Sequence, residues 1–319
     1  MSEAEQRATL AVALMAAFAD GMNDERERAA VKKLVAQMGN ESGSPMGGTG
    51  LDVAAIYQEI LLRKPDLTEM VKPLVSPQSR QFAYEMAVGV AHADGATSPP
   101  ESAFLANLAA ALTLPAPAAQ SYLQSANAVA TMPVVAAAVP SPAARATPDA
   151  AALDQMILNA AITNAALELL PESLASMAII PLQMKLVYRL GQAYGFDLDG
   201  GSVKDFLATL GVGLTAQYLE QFGRKLLGGL LGSIAGSIGR SIGNQAASSG
   251  MAFASTWALG QVARQYYAGG RTLDADKLRA AFGPLASQAR ELGTRYAGEI
   301  QQRARTIDLS NLPALIGKA

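Results

Sequence analysis

The strongest constraint on this chain is an internal repeat. Ala19-Asp20-Gly21 recurs 74 residues later as Ala93-Asp94-Gly95, and Glu27 recurs as Glu101 at the same offset. The apolar positions keep step, with Val31 falling on Leu105, Leu34 on Leu108 and Met38 on Leu112. One helix-turn-helix unit used twice is expected to pack about a pseudo-twofold axis, burying faces that neither copy can bury alone. Inside and between the copies the apolar spacing is helical: Leu10, Leu14 and Phe18; Val53, Ile56, Tyr57 and Ile60; Phe82, Met86 and Val90. Asp66-Leu67-Thr68-Glu69 reads as a capping box that opens a short helix.

The rest of the chain follows the same periodicity, which makes the expected fold class all-α. Half of the 319 residues are hydrophobic but only 6% are aromatic. Alanine and leucine favour helices, whereas strands want the β-branched and aromatic residues that are sparse here. With no cysteine, disulfides, thiolate metal sites and cysteine nucleophiles are excluded. Charge is divided unevenly: residues 1–150 carry 10 Lys/Arg against 15 Asp/Glu, and residues 151–319 carry 15 against 12. The acidic part suits cations or basic partners, and the mildly basic part suits an anionic membrane surface. Neither balance is that of a nucleic-acid binder.

Four segments are expected. Residues 1–114 form the duplicated bundle, with a mobile Gly/Ser/Pro loop at 39–50. Residues 115–150 form a disordered, semi-extended Ala/Pro linker with room for one short helix around Tyr122. Residues 151–270 form a glycine-rich helical module, with a kink at Pro181, a stop at Gly195, a helix capped by Ser202 and a Ser/Gly break at 248–250. Residues 271–319 form an amphipathic helix and tail, whose heptad stripe is interrupted at Gly283-Pro284. The start lacks a basic leader followed by an apolar run, which leads to an expected cytoplasmic-facing location. No run of strongly apolar residues is long enough for an ordinary transmembrane helix.

The residues able to carry chemistry are the repeated carboxylates. Each Asp-Gly pair ends a helix, and each glutamate sits in the first turn of the next. With Ser98 as N-cap, Pro99 falls at the first helical position and Glu101 at the third, a capping box; Asp24 and Glu27 stand in the same relation. Capping accounts for these carboxylates locally. The functional alternative is a weak site for Ca²⁺ or Mg²⁺ built from Asp20, Glu27, Asp94 and Glu101. His92, the one histidine, replaces Phe18 of the first copy and therefore reads as a core or boundary residue rather than a ligand. No catalytic set of Ser, Cys or paired His is present, so an enzyme is not expected.

The two Asp-Gly motifs with their glutamates resemble the paired motifs of the tellurite-resistance TerB family, over roughly residues 5–125. That resemblance implies a pseudo-symmetric helical bundle with an acidic surface, connected with metal and stress response at the membrane, and a sensor or adaptor rather than an enzyme. In the second half, residues 180–195 together with Ser255-Thr256-Trp257-Ala258-Leu259-Gly260 resemble a YcjF-type domain of unknown function, over about 153–268. This second resemblance implies a helical fold at the bacterial inner membrane.

Gly228, Gly232, Gly236, Gly239 and Gly243 lie at four- and three-residue steps on one helix face, which lets a second helix approach closely. The expected outcome is a hairpin of helix 225–246 against helix 250–267, either in a packed oligomeric core or at a bilayer with basic residues at the headgroups. The function expected from all of this is a membrane-associated stress-response adaptor whose acidic bundle senses a cation or partner. Its C-terminal module anchors to the inner-membrane surface or a membrane protein, or self-assembles as a homo-oligomer. The alternative is a soluble homo-oligomeric scaffold.

Overall fold

The computed structural model describes residues 2–21, 52–63, 65–93, 97–130, 148–170, 173–210, 219 and 241–308. All regular structure among them is helical. The fold is all-α, as the periodicity requires. The described residues divide between two compact units, one of 2–130 with 219 and 241–244 and the other of 148–210 and 245–308.

In the first unit, helix α1 (Glu3–Ala17) is followed by α2 (Val53–Arg63), α3 (Leu67–Val71), α4 (Pro77–Ala91), α5 (Pro99–Ala111) and α6 (Ala116–Ala130). Helices α1 and α4 begin and end 74 residues apart, so the repeat seen in the turns extends through whole elements. They pack on each other along much of their length. Both are buried nearly all round: Val12, Ala13 and Ala16 in one and Ala83, Met86 and Ala87 in the other have no exposed surface. Alanines at the crossing permit this approach, and larger residues such as Leu10, Leu14 and Tyr84 fill the space beside it. Their N-caps are repeated too. Ser2 caps α1 with Glu5 at the third position, and Ser76 caps α4 with Ser79 there.

Helices α2 and α3 pack on α1, and α3 reaches α5. Asp66 caps α3 as expected, accepting from the backbone N–H of Thr68 at 2.8 Å and of Glu69 at 3.2 Å. Those donors hold its carboxyl below the usual range. The Glu69 side chain pairs with Lys72 at 2.5 Å. Helix α5 is followed, after its C-cap Leu112, by Thr113, which takes φ +55° although it carries a branched side chain. Arg80 holds it there: Nη1 donates to Thr113 Oγ1 at 2.8 Å while Nε donates to the Leu74 carbonyl at 2.8 Å. The helix expected around Tyr122 is α6, 15 residues long, which buries Ala119, Ala126 and Val129 and packs on α4. Residues 131–147, the remainder of the expected linker, lie outside the described residues.

The second unit contains α7 (Ala150–Glu168), α8 (Ser173–Met177), α9 (Ile179–Ala193), α10 (Gly200–Thr209), α11 (Ser241–Ala268), α12 (Ala275–Arg295) and α13 (Ala297–Thr306). Several local expectations are corrected here. Pro181 makes no kink, because it lies in the first turn of α9, where an amide is unpaired anyway; the break falls at Ala178. Helix α10 is capped by Asp199 rather than Ser202, the carboxylate accepting from the Ser202 hydroxyl at 2.6 Å and its N–H at 2.7 Å. The expected break at 248–250 is absent, since α11 runs unbroken from Ser241 to Ala268. Glycine and serine cost a helix at most about 1 kcal/mol each, less than the burial of Phe253, Thr256 and Ala258 further along returns.

The stop at Gly195 is as expected: φ is +77°, and the N–H groups of Gly195 and Phe196 donate to the carbonyls of Gln192 and Gly191 at 2.8 and 3.0 Å. Helix α12 continues through Gly283-Pro284 rather than breaking. The carbonyl that Pro284 leaves without an amide belongs to Ala280, which is exposed to water. Of the C-terminal segment, residues 309–319 lie outside the described residues, and the helices before them pack into the second unit. Ile300 of α13 is buried against Ala161, Ile162, Ala165 and Ala166 of α7 and Phe253 of α11, with Leu292, Tyr296 and Trp257 around it. Among the described residues no helix is long and apolar enough to cross a membrane.

Candidate acidic turns and a buried polar cluster

Helix α1 closes through Phe18, and Gly21 adopts φ +84°, its N–H donating to the Phe18 carbonyl at 3.0 Å. A residue with a Cβ is strained in that conformation, which explains glycine after Asp20. Asp20 itself is exposed at the turn. In the second copy α4 closes through His92, which is 3% exposed. His92 Nδ1 donates to the Val88 carbonyl at 2.8 Å, so that ring nitrogen is occupied in capping the helix. In the equivalent place of the first copy, Phe18 stands 5.8 Å from the ring of Tyr57.

Glu101 occupies the third position of α5. The Ser98 N–H donates to its Oε2 at 2.7 Å, and its own N–H donates to Ser98 Oγ at 3.4 Å, completing the capping box. A carboxylate held over a helix N-terminus is favoured by the unpaired N–H groups there. Glu27 and Asp94 lie outside the described residues, so two of the four repeated carboxylates have a described environment. Among the described residues no three His, Cys, Asp or Glu side chains come together as a metal set. Across the pseudo-symmetric pair Glu5 also meets Ser79. Burial raises its pKa, but hydrogen bonds from the Ser2 N–H and the Ser79 hydroxyl outweigh that and leave it lowered.

Of the stepped glycines, Gly228, Gly232, Gly236 and Gly239 lie outside the described residues, and Gly243 is in the first turn of α11. The expected hairpin cannot turn between 246 and 250, because both positions belong to one helix. Close approach occurs at other glycines. A Cβ on Gly260 would stand 2.8 Å from Ile157 Cγ2 and 3.2 Å from Leu186 Cδ2, where α11 meets α7 and α9. One on Gly191 would stand 2.2 Å from Leu198 Cδ1.

The second unit also contains polar residues that the sequence reading passed over. Asn164, Glu168, Ser176, Gln183 and Thr256 are all at most 3% exposed. The side-chain amides of Asn164 and Gln183 both donate to Thr256 Oγ1 at 3.0 Å, joining α7, α9 and α11. Their signal in the sequence was position: Asn164 and Glu168 are one turn apart in the fully buried C-terminal part of α7, and Gln183 sits in the run Ile179-Ile180-Pro181-Leu182-Gln183-Met184. Nearby, Asp154 accepts from Arg264 and, at 3.3 Å, from Gln261, tying α7 to α11 at the surface.

Residues 6–123 match the family model of the tellurite resistance protein TerB, a span that takes in the duplicated helices and both Asp-Gly motifs. No curated protein and no solved structure matches the chain.

Proposed function

We propose that this chain is a non-enzymatic stress-response adaptor of the tellurite-resistance type, whose duplicated acidic turns sense a divalent cation or a basic partner. In this reading the second module, which resembles a YcjF-type domain over 153–268, brings the sensor to the inner-membrane surface or to a membrane protein, and self-assembles there. The observation that carries the reading is the TerB match over the repeated unit. The exposed Asp20 turn and the acidic balance of residues 1–150 support it. Leu62 and Val75, large apolar side chains 82% and 71% exposed on the first unit, favour the alternative of a soluble homo-oligomeric scaffold.

Calorimetric titration with Ca²⁺ and Mg²⁺ tests the sensing half. The expected result is weak, saturable heat from the full chain, weakened about tenfold or more in Glu101→Gln. Glutamine keeps most of the capping geometry while removing the charge, so the melting temperature of that variant should stay within a few degrees of the parent. No heat above buffer in the parent chain would reduce the repeated carboxylates to helix caps.

A further inference from the structure

The polar cluster inside the second unit is more than a hydrogen-bond network, because every unmet atom in it is an oxygen, and all but the Ser176 hydroxyl can only accept. Asn164 Oδ1, Gln183 Oε1, Ser176 Oγ and both carboxylate oxygens of Glu168 are buried without a hydrogen-bond partner. Each can accept. The amide nitrogens of Asn164 and Gln183 are already used on Thr256. A carboxylate without exposed surface and without a donor costs several kcal/mol unless something neutralises it. Three neutralisers are chemically available. A proton on Glu168 supplies one donor for several waiting oxygens, and a water supplies two donors but no charge. A cation meets the charge and collects several oxygens at once.

We propose that this cluster is a binding site for a dehydrated monovalent cation, sodium or potassium, held between α7, α8, α9 and α11. The charge selects the valence. Glu168 is the cluster's one ionisable side chain, and a divalent ion beside it would leave a net positive charge in the core. Amide carbonyl, hydroxyl and carboxylate oxygens are the hard donors that alkali and alkaline-earth ions take. The placement is economical in sequence. Asn164 and Glu168 share a face of α7 one turn apart, Gln183 and Asn164 converge on Thr256, and Ser176 lies on α8, which packs on both α7 and α9. The ion would join four helices at their centre, a site separate from the acidic turns of the first unit.

The chain carries its own reporter. Trp257, the one tryptophan, is the neighbour of Thr256 and packs against the core of the second unit. The full chain is exchanged into N-methylglucamine chloride, and sodium or potassium chloride is substituted at constant ionic strength. The expected result is a saturable change in Trp257 fluorescence and a rise in melting temperature of about 5–10 °C once the ion exceeds its dissociation constant a hundredfold. Glu168→Gln should abolish both responses, while Glu101→Gln should leave them intact. Line broadening in sodium NMR of the wild-type chain gives a reading that needs no variant to fold. Stability and fluorescence indifferent to the ion, a response that survives in Glu168→Gln, or sodium lines as narrow as in buffer would each overturn the proposal.

Discussion

Gly260→Leu is expected to destabilise the second unit by about 3 kcal/mol, the upper end of ordinary overpacking. The first added carbon alone falls 2.8 and 2.9 Å from two carbons of Ile157 and 3.2 Å from Leu186, distances at which a neighbour must move. Neither neighbour has room, since Ile157 and Leu186 are themselves at most 3% exposed. Leucine then adds three more carbons to the same gap. A loss of that size corresponds to a drop of about 6–12 °C in the transition followed by Trp257 fluorescence. Gly298→Ala is the counter-experiment. Gly298 is helical and exposed with nothing within 4 Å of a built Cβ, so alanine there should raise stability, by up to about 1 kcal/mol. Equal melting temperatures for Gly260→Leu and the parent would show that α11 does not pack closely on α7 and α9.

Met86→Ala should be as damaging to the first unit, at about 2–5 kcal/mol. Met86 has no exposed surface and lies on α4 where it packs along α1, so truncation leaves a cavity in the contact that joins the two copies. Its counterpart in the repeat is Val12, equally buried but smaller, and Val12→Ala should cost less because fewer methyl and methylene groups are removed. The first unit has no tryptophan, so far-ultraviolet circular dichroism is the appropriate probe. If both variants melt with the parent, α1 and α4 are not the centre of the bundle.

These two sites differ in how readily the sequence discloses them. The α1–α4 core could be read from one fact, the 74-residue offset, because a repeat of sequence implies a repeat of packing. Its extension to the caps at Ser2 and Ser76 was available from the same offset, although the residues at the third position, Glu5 and Ser79, no longer match. Gly260 was visible only as part of a motif. Glycines at regular steps, Gly228 to Gly243, drew attention because periodicity is conspicuous; a single glycine facing Ile157 and Leu186 shows no period, and its partners come from elements 74 and 103 residues away.

Breaks in helices were over-read for a related reason. Ser248-Ser249-Gly250 and Gly283-Pro284 are unfavourable in isolation, but tertiary burial nearby, at Ala252 and Phe253 and at Leu278 and Ala289, outweighs a local cost of that size. At Pro181 the residue type was correctly noted, yet its position three residues into the helix made it harmless. The buried oxygens escaped notice because Asn, Gln and Thr among apolar residues are individually unremarkable. What makes Asn164, Gln183 and Thr256 a cluster is contact across 73 and 92 residues, which no local pattern encodes.

The proposed adaptor function rests on the chain acting at a membrane, and cell fractionation followed by a carbonate wash tests this most directly. The account predicts that a substantial share of the full-length chain sediments with inner membranes, that residues 1–130 expressed alone do not, and that the wash releases only a surface-bound portion. Complete recovery of the full-length chain in the supernatant before the wash would contradict it and leave the homo-oligomeric scaffold as the better description.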